Sequence, residues 1–560
     1  MRKFLAVVTC LAFLASFSPP VIAQDQNATF LANLRSHVKH VFVIYQENRS
    51  FDSYFGTFPG ADNLASPEAM LNGYRQYDPL GHQFVTPFRI SDPDLADANH
   101  ARPALETKMD GGAMDLYIST EEFGLLARGY NREDAQRVGL LTMAHEDCDT
   151  IPFLWKYAHT FALFDHFFQA TTGPSTPGNI SIIAAQTGQT QWARDASDQI
   201  SASDTGPGVP VLNDSPPAFG PYLTGAPDPL KRQIDLTFAN VLLTLTGKNA
   251  NKATVDTDDI KDDISTLVRS GHSSVGWGWY QEGFGAKRGH MFSPYVTHHN
   301  AVQYFGYERQ NNYFWKNVHD LTALLPSLQQ GTLPDRSVTF IKGGYDNPFG
   351  LKPANKDRRV QVKFRGDDDH PGYSDSQISE SMVATMVNAI AHSKYWKDSA
   401  ILITWDDSEG YYDHVSPPQF ERCPDNHACG DGPRVPAILI SPYAKTGAIV
   451  TAQSDHTSFV KFLDTLFNLP PLATLPDEAP YMPEGPRDTE STLSDLTGAF
   501  DSARLAGTKA PVPASSAEIP DDIVRTIPSP WSCKSIGMTP VSIPGENVLP
   551  AGFSPRTSQH

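Results

Sequence analysis

The chain has 560 residues, and 44 Lys+Arg against 63 Asp+Glu give it a formal charge of −19. Hydrophobic residues make up 40% and charged ones 19%, and 31 Phe, 20 Tyr and 8 Trp supply bulk for a large core, which excludes disorder as a description of the whole. At about 100–200 residues per domain the length allows three domains or one large core with insertions, and the acidic balance argues against nucleic acid as a partner.

At the N-terminus Arg2 and Lys3 precede an apolar run from Phe4 to Phe17, and Val21-Ile22-Ala23 precedes Gln24-Asp25. This is the layout of a secretory signal peptide cleaved after Ala23, and it predicts a periplasmic or extracellular protein. No later segment reaches the roughly 18 uninterrupted apolar residues of a membrane helix. Beyond the leader the cysteines are Cys148, Cys423, Cys429 and Cys533. An exported chain with an even set predicts disulfides: Cys423 with Cys429 across one short loop, leaving Cys148 to Cys533. A thiolate metal site would need a second closely spaced pair, which is absent.

Four short runs are apolar on both faces, as expected of strands buried in a parallel sheet: Val41 to Tyr45, Val338 to Ile341, Ala400 to Trp405, and Val435 to Ile440. Pro436 moves the last run to a sheet edge or to a strand beginning after it. Between them Ile378, Met382, Val383, Met386, Val387 and Ile390 form a helical stripe, with Ser374 and Gln377 spaced as a capping box. Alternating strands and helices predict an α/β/α sandwich around a central, mostly parallel sheet. Residues 24–507 read as one catalytic domain. Within it, 186–275 is a Gly, Pro, Ser, Asp and Asn-rich insertion, cap-like, around one helical stretch from Leu236 to Leu245. Residues 508–560 read as a Pro-rich tail wrapping the core.

In open α/β sheets ligands bind beyond the carboxyl ends of the strands. The first strand runs into Gln46-Glu47-Asn48-Arg49-Ser50-Phe51-Asp52 and the third into Asp406-Asp407-Ser408-Glu409-Gly410. Either cluster alone reads as solvated loop acids; two at strand ends read as oxygen ligands of a hard metal ion. In Thr171-Thr172-Gly173-Pro174-Ser175-Thr176-Pro177, Ser175 stands where a helix begins and where amide N–H groups favour an anion, making it the candidate nucleophile. His100, His298, His299, His370 and His414 lie in polar loops, suited to phosphoryl contacts or proton donation. Asp455-His456-Thr457 is a further candidate or a helix cap.

Together Glu47-Asn48-Arg49-Ser50-Phe51-Asp52, Gly173-Pro174-Ser175-x-Pro177, His370-Pro371-Gly372, Asp406-Asp407 with Gly410-Tyr411-Tyr412-Asp413-His414, and Asp455-His456-Thr457-Ser458 resemble the bacterial phospholipase C and acid phosphatase phosphoesterases. The resemblance spans about Val38 to Leu469 and implies an alkaline-phosphatase-like core. It implies one divalent metal (Ca, Mg, Mn or Zn) on Glu47, Asn48, Ser175, Asp406 and Asp407. It also implies Ser175 as nucleophile, and phosphate contacts from His100, His370 and one of His298 or His299. Where the family continues its serine turn with Pro-Asn-Arg, this chain has Pro177-Gly178-Asn179-Ile180.

About 90 residues follow Leu469, too few for the two extra β-domains of the longer phospholipases, so the acid phosphatase branch looks nearer. The expected function is a secreted, metal-dependent phosphomonoesterase working through phosphoserine. The alternatives are a phospholipase C acting on phosphatidylcholine-type diesters, a reading kept open by the aromatic run Trp277 to Tyr280, and a non-catalytic secreted metal-binding protein. A serine esterase is excluded by the lack of Gly-x-Ser-x-Gly.

Overall fold

The computed structural model describes residues 21–187, 211–214, 236–253, 258–285, 294–309, 311–420, 430–482, 485–545, 550, 553 and 555. Eight strands form the central sheet: β1 His40–Gln46, β2 Ala162–Phe164, β3 Gly276–Gln281, β4 Val318–Asp320, β5 Ser337–Lys342, β6 Ser399–Trp405, β7 Ala437–Ile440 and β8 Ala448–Val450. Their spatial order is β8-β2-β7-β6-β1-β5-β3-β4. β1 lies at the centre, parallel to β5 on one side and β6 on the other, with His40 opposite both Ser337 and Ser399.

All four predicted strands are present, but β7 runs antiparallel to both its neighbours. It is interior, and Pro436 stands just before it, so the missing N–H falls outside the ladder; the Pro436 carbonyl instead accepts from Thr404 Oγ1 at 2.9 Å. Burial explains why these runs lack alternation. On one face of β1, Tyr45 meets His456 edge-on; on the other, His40 meets Tyr395. Helices cover both faces, Ser376–Ala391 and Pro152–Thr160 packing together in one layer and His456–Phe467 against Ser175–Ala184 in the other. This is the α/β/α arrangement.

The stripe from Ile378 to Ile390 lies in the helix Ser376–Ala391, but its cap is not Ser374. Asp375 accepts from the amides of Gln377 and Ile378, because a carboxylate one residue later reaches both, while Ser374 Oγ donates to Asp368. Asp455 does cap His456–Phe467, in a capping box with Ser458. The stretch Leu236 to Leu245 is helical only from Val241: Asn240 caps Val241–Thr246, and the Leu236 amide bonds to the Tyr304 carbonyl instead. Trp277 to Tyr280 lies within β3, where Trp279 stacks on Phe340, so this run offers no lipid surface.

The pairing Cys148–Cys533 is present, with S–S 2.01 Å. Cys423 and Cys429 lie outside the described residues, as does the leader up to residue 20; a helix Val21–His37 runs through the expected junction after Ala23. Tail residues bond to the body through Ser516 to Lys156, Ile519 to Asn388 and Val541 to Thr57. No helix among the described residues is long and apolar enough to cross a membrane.

His414 stands in a buried ion-pair network. Its Nδ1 lies 2.7 Å from Asp52 and its Nε2 3.2 Å from Asp62, and Arg434 joins Asp52 (3.0 Å) to Asp413 (2.8 Å). The network ties the first motif to the fourth. Burial opposes the imidazolium, but Asp52 outweighs it and raises His414 to about 9. Folding therefore favours its protonated form, a contribution complete below the ordinary value near 6.5 and lost as pH rises through about 9. We expect the urea midpoint of wild type to exceed that of His414→Gln clearly at pH 6 and by progressively less towards pH 9.5; a gap that stays constant with pH would rule the charged pair out.

Candidate active site

At the carboxyl edge of the sheet, β1 delivers Glu47 and Asn48, β5 ends on Lys342, and β6 delivers Asp406 and Asp407. All five are buried. The helix Ser175–Ala184 begins opposite them, so the expected helix start at Ser175 is observed. Ser175 Oγ lies 2.9 Å from Glu47 Oε2, 3.3 Å from Asp407 Oδ2 and 3.5 Å from Asn48 Oδ1. Asp406 accepts from the Asn48 amide and from Asn179 Nδ2 at 3.3 and 3.2 Å. The five residues expected to share a metal thus converge.

Backbone geometry holds them. Asn48, Asp369 and Glu409 all adopt positive φ, 51°, 80° and 58°, a conformation uncommon for residues other than glycine. Asn48 Nδ2 donates to Glu409 at 2.7 Å. Asp369 accepts from Tyr54 Oη and Trp405 Nε1 at 2.7 and 2.8 Å, which fixes the turn that carries His370.

Gly178 accounts for the local departure in the serine turn. A Cβ there would stand 2.6 Å from the Asp406 carbonyl oxygen, so the helix can lie against the end of β6 only because this residue has no side chain. We expect Gly178→Ala to push the helix away from Asp406 and lower kcat by about tenfold or more, the order expected of a displacement near 1 Å. Steady-state kinetics alongside circular dichroism checks this; an unimpaired, folded variant would show that the close approach is dispensable.

The histidines divide into two pairs. His100 and His370 line a cavity of about 620 Å³ with Pro174, Asp214 and Tyr373, their rings 5.8 Å apart. Burial opposes charge on His100, but Asp407 and Asp97 outweigh it and hold its pKa at about 9; burial takes His370 down to about 4. His299 is fully buried, with Nδ1 3.2 Å from Glu47 Oε1, and His298 packs edge-on against it. Burial lowers the pKa of both.

Sequence reasoning passed over Lys342, whose ammonium reaches Glu47 Oε1 and lies 4.0 Å from Asp406. The strand-end rule that picked Glu47 and Asp406 would have found it, since Lys342 closes the strand containing Val338 to Ile341. It also passed over Asp214, which accepts from Thr176 N and Oγ1 at 3.0 Å, and it placed Glu409 only within the acid cluster and Asn179 only within the serine turn, giving neither a role of its own. His100, His370 and Glu409 form a further group able to hold a metal.

The charge at the site is not balanced by the chain alone. Burial and Asp406 push Glu47 well above its usual range despite Lys342, and burial, with Asp406 beside it, pushes Asp407 up to about 8 against the pull of His100. Buried oxygen donors this crowded fit a hard divalent cation, which would hold them ionised.

A serine at a helix start, facing carboxylates at the carboxyl edge of a mostly parallel sheet and flanked by histidines, is an arrangement suited to the hydrolysis of phosphoric esters. The chain belongs to the phosphoesterase family, whose model matches residues 38–470. It is 24% identical to the non-hemolytic phospholipase C of Burkholderia pseudomallei, over 98% of this chain and 72% of that one. It is 22% identical to phospholipase C A of Mycobacterium tuberculosis, over 90% and 85%. Among solved structures, a protein in the alkaline phosphatase superfamily from Vibrio parahaemolyticus matches with TM-score 0.32 and 9% identity, covering 84% of this chain and 78% of that one. These relatives are named phospholipases C, so the comparisons lie closer to the diesterase alternative than to the acid phosphatase branch expected from the sequence.

Proposed function

We propose that this protein is an exported phospholipase C-type enzyme that cleaves phospholipid phosphodiesters through Ser175. The observation that carries the reading is the convergence of Ser175 Oγ on Glu47, Asn48 and Asp407 beside His100 and His370. The diester preference is supported by relatives of that name covering 90% of the chain or more. Glu47, Asn48, Ser175, Asp406 and Asp407 would hold one divalent metal, whose charge favours the serine alkoxide and offsets negative charge on the phosphoryl oxygens.

The chain's own groups do the rest. Glu47 accepts the Ser175 proton along their 2.9 Å hydrogen bond as Oγ forms its bond to phosphorus. The phosphorus–oxygen bond to the glycerol breaks, and protonated His100, at the cavity wall, gives the leaving alkoxide its proton. Neutral His370 contacts a phosphoryl oxygen, and amides at the start of Ser175–Ala184 face the same charge. Water then attacks the phosphoserine and gives one proton to the now neutral His100; as the bond from phosphorus to Oγ breaks, Glu47 returns its proton to Ser175 Oγ, and the phosphorylated headgroup leaves carrying the water's hydroxyl.

The test is diacylglycerol release from mixed phospholipid vesicles, together with kcat/KM for bis(p-nitrophenyl) phosphate against p-nitrophenyl phosphate. Diacylglycerol release and at least equal turnover of the diester are expected. A tenfold or greater preference for the monoester, without diacylglycerol, would return the protein to the phosphomonoesterase reading; binding of metal with no turnover of either would leave the non-catalytic one.

A further inference from the structure

We propose that Arg128 and Lys363 form an anion-binding part of the substrate cavity, selecting phosphoesters whose headgroup carries a further negative charge, such as a carboxylate or second phosphate. This rests on the phosphodiesterase reading and names its substrate class. Both residues line the cavity that holds His100 and His370 and reaches Pro174, next to the nucleophile. They come from separate elements. Arg128 caps the end of the helix Tyr117–Ala127, and Lys363 is the last residue of Arg358–Lys363.

Basic residues at helix ends commonly complement the helix dipole, and that would be sufficient reason for them if they bonded to terminal carbonyls. Among the described residues neither side chain donates a hydrogen bond to a carbonyl or a carboxylate. Arg128 forms an ion pair with Glu121 Oε1 at 3.7 Å, beyond hydrogen-bond distance, while Lys108 binds the other oxygen of that carboxylate at 2.8 Å. The Lys363 ammonium lies 5.0 Å from the centre of the Phe364 ring, and burial lowers its pKa.

Of the two acids of the lining, Asp214 accepts twice from Thr176, and Asp97, 3.8 Å from His100, attracts both Arg128 and Lys363 electrostatically without a hydrogen bond to either. What remains is a pair of cations without a hydrogen-bonded anion, Lys363 half-buried and Arg128 exposed, in a cavity of a chain with net charge −19. A partly desolvated cation without a hydrogen-bonded anion is costly, and an anionic substituent on the substrate offsets that cost only when bound. Because the protein as a whole repels anions, local cations at the cavity concentrate them where the phosphate must enter.

The experiment compares substrates that differ by one carboxylate: glycerophosphoserine with glycerophosphoethanolamine in solution, and phosphatidylserine with phosphatidylethanolamine diluted in neutral detergent micelles. Wild type is expected to favour the carboxylate member by about tenfold in kcat/KM, mainly through KM and less at high salt. Arg128→Gln combined with Lys363→Gln should bring that ratio close to one. A preference in solution alone assigns a free phosphate ester, and one in micelles as well assigns a lipid headgroup. A wild-type ratio at or below one in both arms, or a ratio unchanged in the double variant, overturns the proposal while leaving the diesterase reading standing. Turnover of none of the four substrates overturns both.

Discussion

Ser175→Ala loses turnover by at least about a thousandfold, the order seen when a nucleophile is removed, while the fold is retained. Its hydroxyl donates to Glu47 and makes no contact that holds the sheet together, so the cost to stability is about 1 kcal/mol. Circular dichroism and a urea titration establish the fold, and kinetics the loss. Rapid quench with a ³²P-labelled substrate adds a readout specific to the role: wild type carries label on Ser175 and the variant carries none. Retained turnover in a folded variant would remove Ser175 from the chemistry.

Asp407→Asn affects metal content, activity and stability in ways that a solvated loop acid could not. Removing one negative oxygen from the donor set lowers affinity for a hard dication, so metal per chain falls and activity drops by about a hundredfold. Stability of the metal-stripped protein moves the other way. Burial raises the Asp407 pKa to about 8, so at neutral pH folding must either protonate that carboxyl or bury its charge beside Asp406. The asparagine removes that cost, and the stripped variant should melt above stripped wild type. Asp406→Asn should also lose metal without gaining stability, because Asp406 accepts from the amides of Asn48 and Asp407 and from Asn179. Elemental analysis and thermal melts with and without chelator check both. Full metal occupancy in both variants would show that the pair are not ligands.

Much of this was legible in the chain because burial on both faces leaves a local signature. His40–Gln46, Ser337–Lys342 and Ser399–Trp405 contain mostly apolar, β-branched or aromatic runs, and the polar residues that follow two of them, Glu47-Asn48 and Asp406-Asp407, had to emerge at the carboxyl edge. Ser175 was marked by its turn and by the apolar helix behind it. The pairing of Cys148 with Cys533, 385 residues apart, followed from the short spacing of the other two cysteines.

Only the tertiary structure decided what depends on approach between distant segments. The reversed direction of Ala437–Ile440 is a property of chain routing, and an all-buried strand looks the same either way round. Gly178 reads locally as a helix breaker and becomes a requirement once Asp406 lies against it. His100 and His414 share a residue type and a polar setting in sequence, yet one lines the cavity and the other is held between Asp52 and Asp62. Arg128 and Lys363 end two helices 235 positions apart, and nothing in either helix announces a common cavity. Secondary structure and burial follow from neighbours along the chain, so sequence pattern determines them; charge pairing and site membership follow from neighbours in space, which only the packed sheet and its loops bring together.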